Sequence, residues 1–306
     1  MNLSRRGFIG SAATTVAAIG ATSFAHAADE DNRWIDAHVH VWTPDLTTYP
    51  LSPRFKQSNM KPASFTPEEL FAHCRPAGVD RIVLIQMSFY EFDNSYMLKV
   101  IKQNPKVFSG VGIVDYKADD LKKQMSDLKR QGVRGLRLHS RGDAKEWVDS
   151  SAMASLWNHA AKIGIAVCPL INPEDLAYVD ALCTKFPDTT VVVDHFARVG
   201  ISGTVEREPL NQLCKLARFP NTHVKTSAFY ALGKKQPPYT DLTEMIRKVT
   251  DSFGPDRLMW ASDCPFQVQG NHTYEASIAL IRDKIDFLSE SDKQWMLRGT
   301  AEKVFF

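Results

Sequence analysis

Residues Arg33–Trp42, RWIDAHVHVW, decide the fold. The run is apolar apart from Arg33, Asp36, His38 and His40, and it reads as a buried strand that brings two histidines to its carboxyl end. Successive strand side chains point to opposite faces, so the pattern predicts Asp36, His38 and His40 on one face and Ile35, Ala37 and Val39 on the other. Two imidazoles spaced in this way can converge on a single metal ion or a single substrate atom. Taken alone, a His-x-His favours the reading of a hydrogen-bonded strand end, and the rest of the chain must decide between the two.

Working outward, the sequence alternates short β-branched runs with amphipathic stretches. Further strands are predicted at Arg81–Gln86, Phe108–Val114, Arg134–His139, Ile165–Leu170, Thr190–His195, Thr222–Thr226 and Arg257–Asp263. Helical patterns separate them. The first opens at Thr66-Pro67-Glu68-Glu69, a cap followed by proline and two acids, and the fifth at Asn172-Pro173-Glu174-Asp175. Others fall near 94–104, 118–131, 151–163, 208–218, 241–253 and 273–287, with a last one over 290–299. Eight nearly continuous apolar strands, each followed by a helix, require a parallel sheet covered on both faces, and eight units close naturally into a single-domain α/β (β/α)8 TIM barrel. A doubly wound open sheet is the alternative, but no Gly-rich phosphate turn follows the first strand. The Pro-rich segment Thr43–Pro67 is longer than an ordinary connection and is expected to be a binding loop.

The composition, 306 residues with 44% hydrophobic, 24% charged and a net charge of +2, is that of a soluble globular chain and supplies no basic field for nucleic acid. Ser4-Arg5-Arg6-Gly7-Phe8-Ile9 is a twin-arginine signature, followed by a mildly apolar run and Ala25-His26-Ala27. Residues 1–27 therefore read as a cleaved signal peptide and 28–306 as the mature domain, with the twin-arginine export machinery as a partner and the periplasm as destination. The run is too short and too rich in Ala, Thr and Gly for a stable membrane span. Five cysteines without a C-x-x-C pair suggest buried free thiols.

In such a barrel, chemistry sits where strands meet their following loops. Those positions carry His38, His40, Gln86, His139, Cys168 or Leu170, His195, Lys225 and Asp263. Alternation predicts that Val191, Val193 and His195 share a face, as do Met259, Ala261 and Asp263. Three imidazoles and a carboxylate then aim into one barrel mouth.

The segments Asp36-Ala37-His38-Val39-His40, Asp194-His195-Phe196-Ala197-Arg198 and Trp260-Ala261-Ser262-Asp263-Cys264-Pro265 resemble the amidohydrolase superfamily, and more narrowly its amidohydrolase-related branch. That branch includes pyrone-dicarboxylate and sugar lactonases and zinc-dependent decarboxylases of the aminocarboxymuconate type. The resemblance runs from about Trp34 to Phe306. It implies that His38, His40 and His195 are metal ligands or carbonyl polarisers, and that Asp263 is the general base that takes a proton from water and returns it to the leaving oxygen. The chain departs from the family's metal-dependent pattern at the end of strand five, where Cys168-Pro169-Leu170-Ile171 stands in place of a histidine. It also lacks a lysine at the end of strand four that could bridge two metals. Two options remain open: one divalent ion, zinc being the natural choice, on some of His38, His40, His195 and Asp263, or a metal-free site in which histidines and arginines polarise an activated lactone carbonyl. The missing strand-five ligand favours the second.

Arg137, His139 and Arg141 could bind a substrate carboxylate or form an internal ion pair. Gln86, Ser88, Tyr90 and Asn94 after strand two, Lys225, Ser227 and Tyr230 after strand seven, and Arg198 could contact a small-molecule substrate or satisfy loop backbone, and Trp42 and Tyr49 are expected to wall the pocket. The leading expectation is a hydrolase that opens a lactone or related cyclic ester. A zinc-dependent decarboxylase and a non-catalytic solute-binding barrel are the alternatives.

Overall fold

The computed structural model describes Met1 and residues 33–306. Met1 apart, the expected signal segment lies outside the described residues. Arg33–Phe306 forms one compact unit. Its eight strands are β1 (Trp34–Val39), β2 (Val79–Ile85), β3 (Phe108–Gly112), β4 (Val133–His139), β5 (Ala166–Leu170), β6 (Val191–Val193), β7 (Thr222–Ser227) and β8 (Leu258–Ala261). They pair in sequence order, all parallel, and helices follow them around the outside. The seam between β8 and β1 is bridged at its carboxyl end, where His40 N–H donates to Cys264 O (2.8 Å) and Asp263 N–H donates to His38 O (2.9 Å). The result is a nearly closed eight-stranded parallel barrel of the (β/α)8 type, and its closing bonds lie among the candidate site residues.

Two apolar clusters hold this arrangement. Ile35, Ala37, Val83, Ile85, Val111, Cys168, Val192, Met259 and Ala261 fill the barrel interior, and Ala301 and Phe305 of the last helix, Thr300–Phe305, pack against them. A larger cluster lies between sheet and helices, including Val39, Leu84, Val191, Val193, Leu213 and Ile246. Each fully buried aliphatic side chain contributes roughly 1.5–3 kcal/mol.

The helix starts follow their chemistry. Thr66 accepts from Glu69 N–H and Glu69 reaches back to the Thr66 N–H, while Pro67 occupies the first turn. Gly164 ends Ser151–Ile163 in the left-handed region (φ 64°) that its missing Cβ permits. The structure differs from the sequence reading in three elements. A short helix, Ala144–Asp149, precedes the fourth expected one. The helix expected over 273–287 is regular only across Tyr274–Ala279 and then widens over Leu280–Lys284. The terminal helical segment continues beyond Gly299 to Phe305.

The loop after β1 is held by aromatic packing. Trp42 and Phe65 exchange backbone hydrogen bonds, the Trp42 indole donates to Pro62 O (3.0 Å), and Trp42 meets Phe89 and Phe266. All five cysteines are free thiols and all but Cys214 are buried. No helix among the described residues is long and apolar enough to cross a membrane.

Candidate active site

The two histidines of β1 reach the barrel mouth by a route that strict alternation does not give. Ile35 and Ala37 point into the barrel, while Asp36 lies outside, accepting from Ser262 N–H (2.9 Å) and Tyr274 O–H (2.7 Å). Between Asp36 and Val39 the register against β2 slips by one residue, and this bulge turns His38 and His40 inward. A bulge re-aims side chains in just this way beside functional sites. The expectation that Asp36 shares their face is therefore corrected. So is the route of His195. On β6 it is Val192 that points inward, and Val191 and Val193 pack towards the helices. His195 enters the mouth because His195–Arg198 all adopt left-handed backbone (φ 52–56°). Non-glycine residues rarely do so, and the cost is tolerated where surrounding structure fixes it. On β8 the alternation holds: Met259 and Ala261 face the interior and Asp263, itself left-handed (φ 65°), follows them.

These four side chains meet. His38 Nε2 lies 3.2 Å from His40 Nε2 and 3.5 Å from Asp263 Oδ1, and His40 Nε2 is 3.3 Å from the same oxygen. His195 Nε2 lies 3.8 Å from Asp263 Oδ2. Their second ring nitrogens define the tautomers. His40 Nδ1 faces Ile85 O (2.9 Å), an acceptor only, so Nδ1 carries the proton. Ser227 O–H donates to Lys225 O and accepts from His195 Nδ1–H (2.8 Å). Both Nε2 atoms thus present lone pairs. His38 Nδ1 sits between Lys225 Nζ (3.2 Å) and Asp194 Oδ1 (3.4 Å). If it accepts from Lys225, Nε2–H donates to its neighbours. If it donates to Asp194, a third lone pair faces the other two, and a cation or a donor such as water between them relieves the repulsion.

That donor set fits one metal ion. Ligand atoms of a tetrahedral zinc with bonds of about 2.0–2.1 Å stand about 3.3 Å apart, close to the mutual separations of His38 Nε2, His40 Nε2 and Asp263 Oδ1. One ligand atom from each of His38, His195 and Asp263 also lies within 4.8 Å of the others. Cys168 takes no part: it is fully buried in the barrel interior, and burial pushes its thiol up to about 12.

Beneath the histidines lies an ion cluster. Asp194 Oδ1 is 3.0 Å from Lys225 Nζ and Asp194 Oδ2 is 3.9 Å from Arg137 Nε, and neither Asp194 nor Lys225 is exposed. Burial would raise the Asp194 carboxyl, but Lys225, His38 and Arg137 hold it well below the usual range. Burial likewise opposes ionisation of Asp263, yet His195, His40 and His38 keep it below the usual range. Burial, then the charge of Lys225, drives His38 well down, and burial takes His195 to about 4. At neutral pH Asp194 and Asp263 are ionised, and His38 and His195 are neutral.

His40, His195 and Asp263 form the floor of a cavity of about 450 Å³, with Arg137, His139, Arg198 and Tyr230 on its wall among Met87, Leu170, Leu232 and Phe266. Burial, then Arg137, lowers His139 to about 4. Arg198 donates to Asn172 Oδ1 (3.0 Å). Ser88, Arg137 and His139 also line an adjoining recess of about 280 Å³ that contains Arg141, Lys117 and Arg54. Arg54 is the only residue of the 43–67 loop to line either space.

Other expected contacts are engaged elsewhere. Gln86 Nε2 donates to Asp93 O (2.6 Å), and Asn94 bonds Ile113 N–H and Ile113 O, so both amides brace loop backbone. The Tyr90 hydroxyl accepts from Thr43 N–H, and Tyr49 packs on Tyr96 under Lys99. Trp42 is buried behind the mouth. These side chains support the walls without lining the cavity. Asp194, by contrast, received no role from the sequence. Its signal was available, since alternation from Val192 aims it inward. Tyr230, expected only as a possible substrate contact after strand seven, donates its hydroxyl to Asp263 Oδ2 (2.7 Å), a pairing without a sequence signal because the two residues are 33 apart.

Comparison with known proteins gives this site its class. Residues 35–306 match the family model of the amidohydrolases, Amidohydro_2, and the chain belongs to that family. It is 27% identical to L-fucono-1,5-lactonase of Burkholderia ambifaria over 273 residues, covering 87% of this chain and 93% of the relative. It is 28% identical to a 2-pyrone-4,6-dicarboxylate hydrolase of Comamonas testosteroni over 240 residues, 76% of each. A crystal structure of a Burkholderia multivorans amidohydrolase with bound zinc superposes with a TM-score of 0.75 at 19% identity, covering 89% of this chain and 99% of that one, and shows the same fold.

Proposed function

We propose that this protein hydrolyses a lactone or related cyclic ester whose ring carries carboxylate or hydroxyl groups. The observation that carries the reading is the state of Asp263. One of its oxygens is held by Tyr230, while the other faces the Nε2 atoms of His38 and His40 at 3.5 and 3.3 Å. An ionised carboxylate presented in this way is ready to accept a proton. The relatives that act on lactones, at 27% and 28% identity over most of the chain, support the same reaction class.

In the reaction, Asp263 Oδ1 takes a proton from water as the water oxygen bonds to the ester carbonyl carbon. The ring C–O bond then breaks, and the proton held on Asp263 passes to the leaving alkoxide, giving a hydroxy acid. The imidazoles of His38, His40 and His195 orient water and carbonyl. Arg137 and Arg198 on the cavity wall suit a substrate carboxylate or the charge developing on oxygen. A divalent ion bound by His38, His40, His195 and Asp263 would polarise the carbonyl and make bound water more acidic. Asp263 is a weak base, which suffices for an electrophile as activated as a lactone.

Sugar-acid lactones and pyrone carboxylates incubated with the enzyme in 18O-water test the reading. Ring-opened acid carrying one solvent oxygen is expected, and carbon dioxide release instead would transfer the site to decarboxylation.

We also propose that the mature protein resides in the periplasm. The Arg5-Arg6 pair in Ser4–Ile9 and the Ala25-His26-Ala27 cleavage pattern support export by the twin-arginine route and a mature start near Ala28. Sequencing the mature N-terminus tests it, and an intact Met1 in soluble periplasmic protein would count against it.

A further inference from the structure

Tyr230 lies on the turn Phe229–Ala231 just after β7, entered through Ala228 in left-handed backbone (φ 57°). Its hydroxyl donates to Asp263 Oδ2 at 2.7 Å, a charge-assisted bond between two groups largely shielded from water. The ring is backed by a second layer. It meets the His272 ring edge-on, His272 stacks on Tyr239 and shares a hydrogen bond with its hydroxyl (2.8 Å), and Gln267 Nε2 donates to that hydroxyl (2.9 Å).

Asp263 needs such a restraint. The final torsion of an aspartate is broad and roughly two-fold, so the two oxygens can exchange places unless something distinguishes them. On one side stand His38 and His40 (3.5 and 3.3 Å from Oδ1), and on the other His195 (3.8 Å from Oδ2). The Tyr230 bond is what makes the oxygens unequal. We propose that Tyr230 is a positioning residue. Its hydroxyl anchors Oδ2 and so keeps Oδ1, with its lone pairs open, as the oxygen that exchanges the proton. The inference rests on the reading of Asp263 as general base. It assigns turnover to the hydroxyl of Tyr230, not to the bulk of its ring or to contact with substrate.

The test is a double-mutant cycle between positions 230 and 263, with kcat and KM measured on one lactone substrate. Tyr230→Phe is expected to lower kcat by about tenfold to a hundredfold, the range for losing a hydrogen bond to a charged group, with KM within about threefold of wild type. In the Asp263→Asn background the same change is expected to alter the residual rate by less than about twofold, because no general base is left to position. If Tyr230→Phe fails to fold, 4-fluorophenylalanine at position 230 keeps the ring and its volume but cannot donate, and the same loss of kcat is expected. An unchanged kcat, a raised KM at constant kcat, or an equal loss in both backgrounds overturns the proposal. Should Asp263→Asn itself leave kcat intact, the general-base reading fails as well. Should it abolish turnover while Tyr230→Phe does not impair it, only the role of Tyr230 falls.

Discussion

Replacing Asp194 by Asn should destabilise the protein severely, and the reason is electrostatic. Asp194 and Lys225 are both fully buried at 3.0 Å, Arg137 stands 3.9 Å from the second Asp194 oxygen, and His38 Nδ1 is 3.4 Å from the first. Asparagine keeps the shape but removes the only carboxylate among the described residues that pairs with that ammonium. Stripping one partner from a buried pair costs about 3–5 kcal/mol, since the remaining charge is left in a medium that solvates it poorly. With an unfolding entropy of about 2.1 cal/mol/K for each of about 275 folded residues, that loss lowers Tm by about 5–9 °C. Adding Lys225→Met removes the stranded charge, and the double variant should recover at least half of the lost stability. Calorimetric scans of the wild type, both single variants and the double variant decide the matter. An Asp194→Asn protein within about 1 kcal/mol of wild type, or a double variant as unstable as the two single losses added, would refute the reasoning.

Three further outcomes follow from the same geometry. His195, His139 and His223 have pKa values near 4, lowered first by burial, and His38 is well below its usual range, so the unfolded chain binds protons that the native state does not. Stability should therefore be complete above about pH 6.5 and fall towards pH 4, by at most about 1.4 kcal/mol per pH unit for each such group. Asp36, raised to about 6 by burial, acts with the opposite sign across pH 4–6 and offsets one of them. His223→Leu, at a buried ring outside the active site, should flatten the measured slope by about one group, and an unchanged slope would count against the assignment. Zinc added to metal-stripped protein should raise Tm in the wild type and in His159→Ala but not in His38→Ala, and equal shifts in all three would place the ion elsewhere. Arg198→Met should raise KM about tenfold or more for a carboxylated lactone and little for a neutral one, read from paired kinetics, whereas equal effects would remove Arg198 from anion binding.

Much of the barrel was legible because its strands are buried on both faces and read as unbroken apolar runs, as in Ile82–Ile85 and Val191–Val193. The histidine pair was legible for the same reason, as polar residues stand out where a core strand needs none. What escaped was backbone geometry. A one-residue bulge after Asp36 and a four-residue left-handed turn at His195–Arg198 both reverse the facing that period-two counting assigns, and neither contains a glycine to signal it. Long-range polar pairs escaped as well. Nothing near Tyr230 marks it as a partner of Asp263, and nothing near Tyr49 says that it packs on Tyr96 instead of facing the cavity. Gln86 and Asn94 looked like site residues because they follow strand two, yet each is consumed by the loop it braces.

The account stands most directly on Asp263. Single-turnover hydrolysis of a lactone substrate in 18O-water by the wild type and by Asp263→Asn, with Tm measured on both, tests it. Wild type should yield product with one solvent oxygen, and the variant should keep its fold while losing at least a thousandfold in rate, about 4 kcal/mol of transition-state stabilisation. A folded variant turning over within tenfold of wild type would show that the proton moves through some other group.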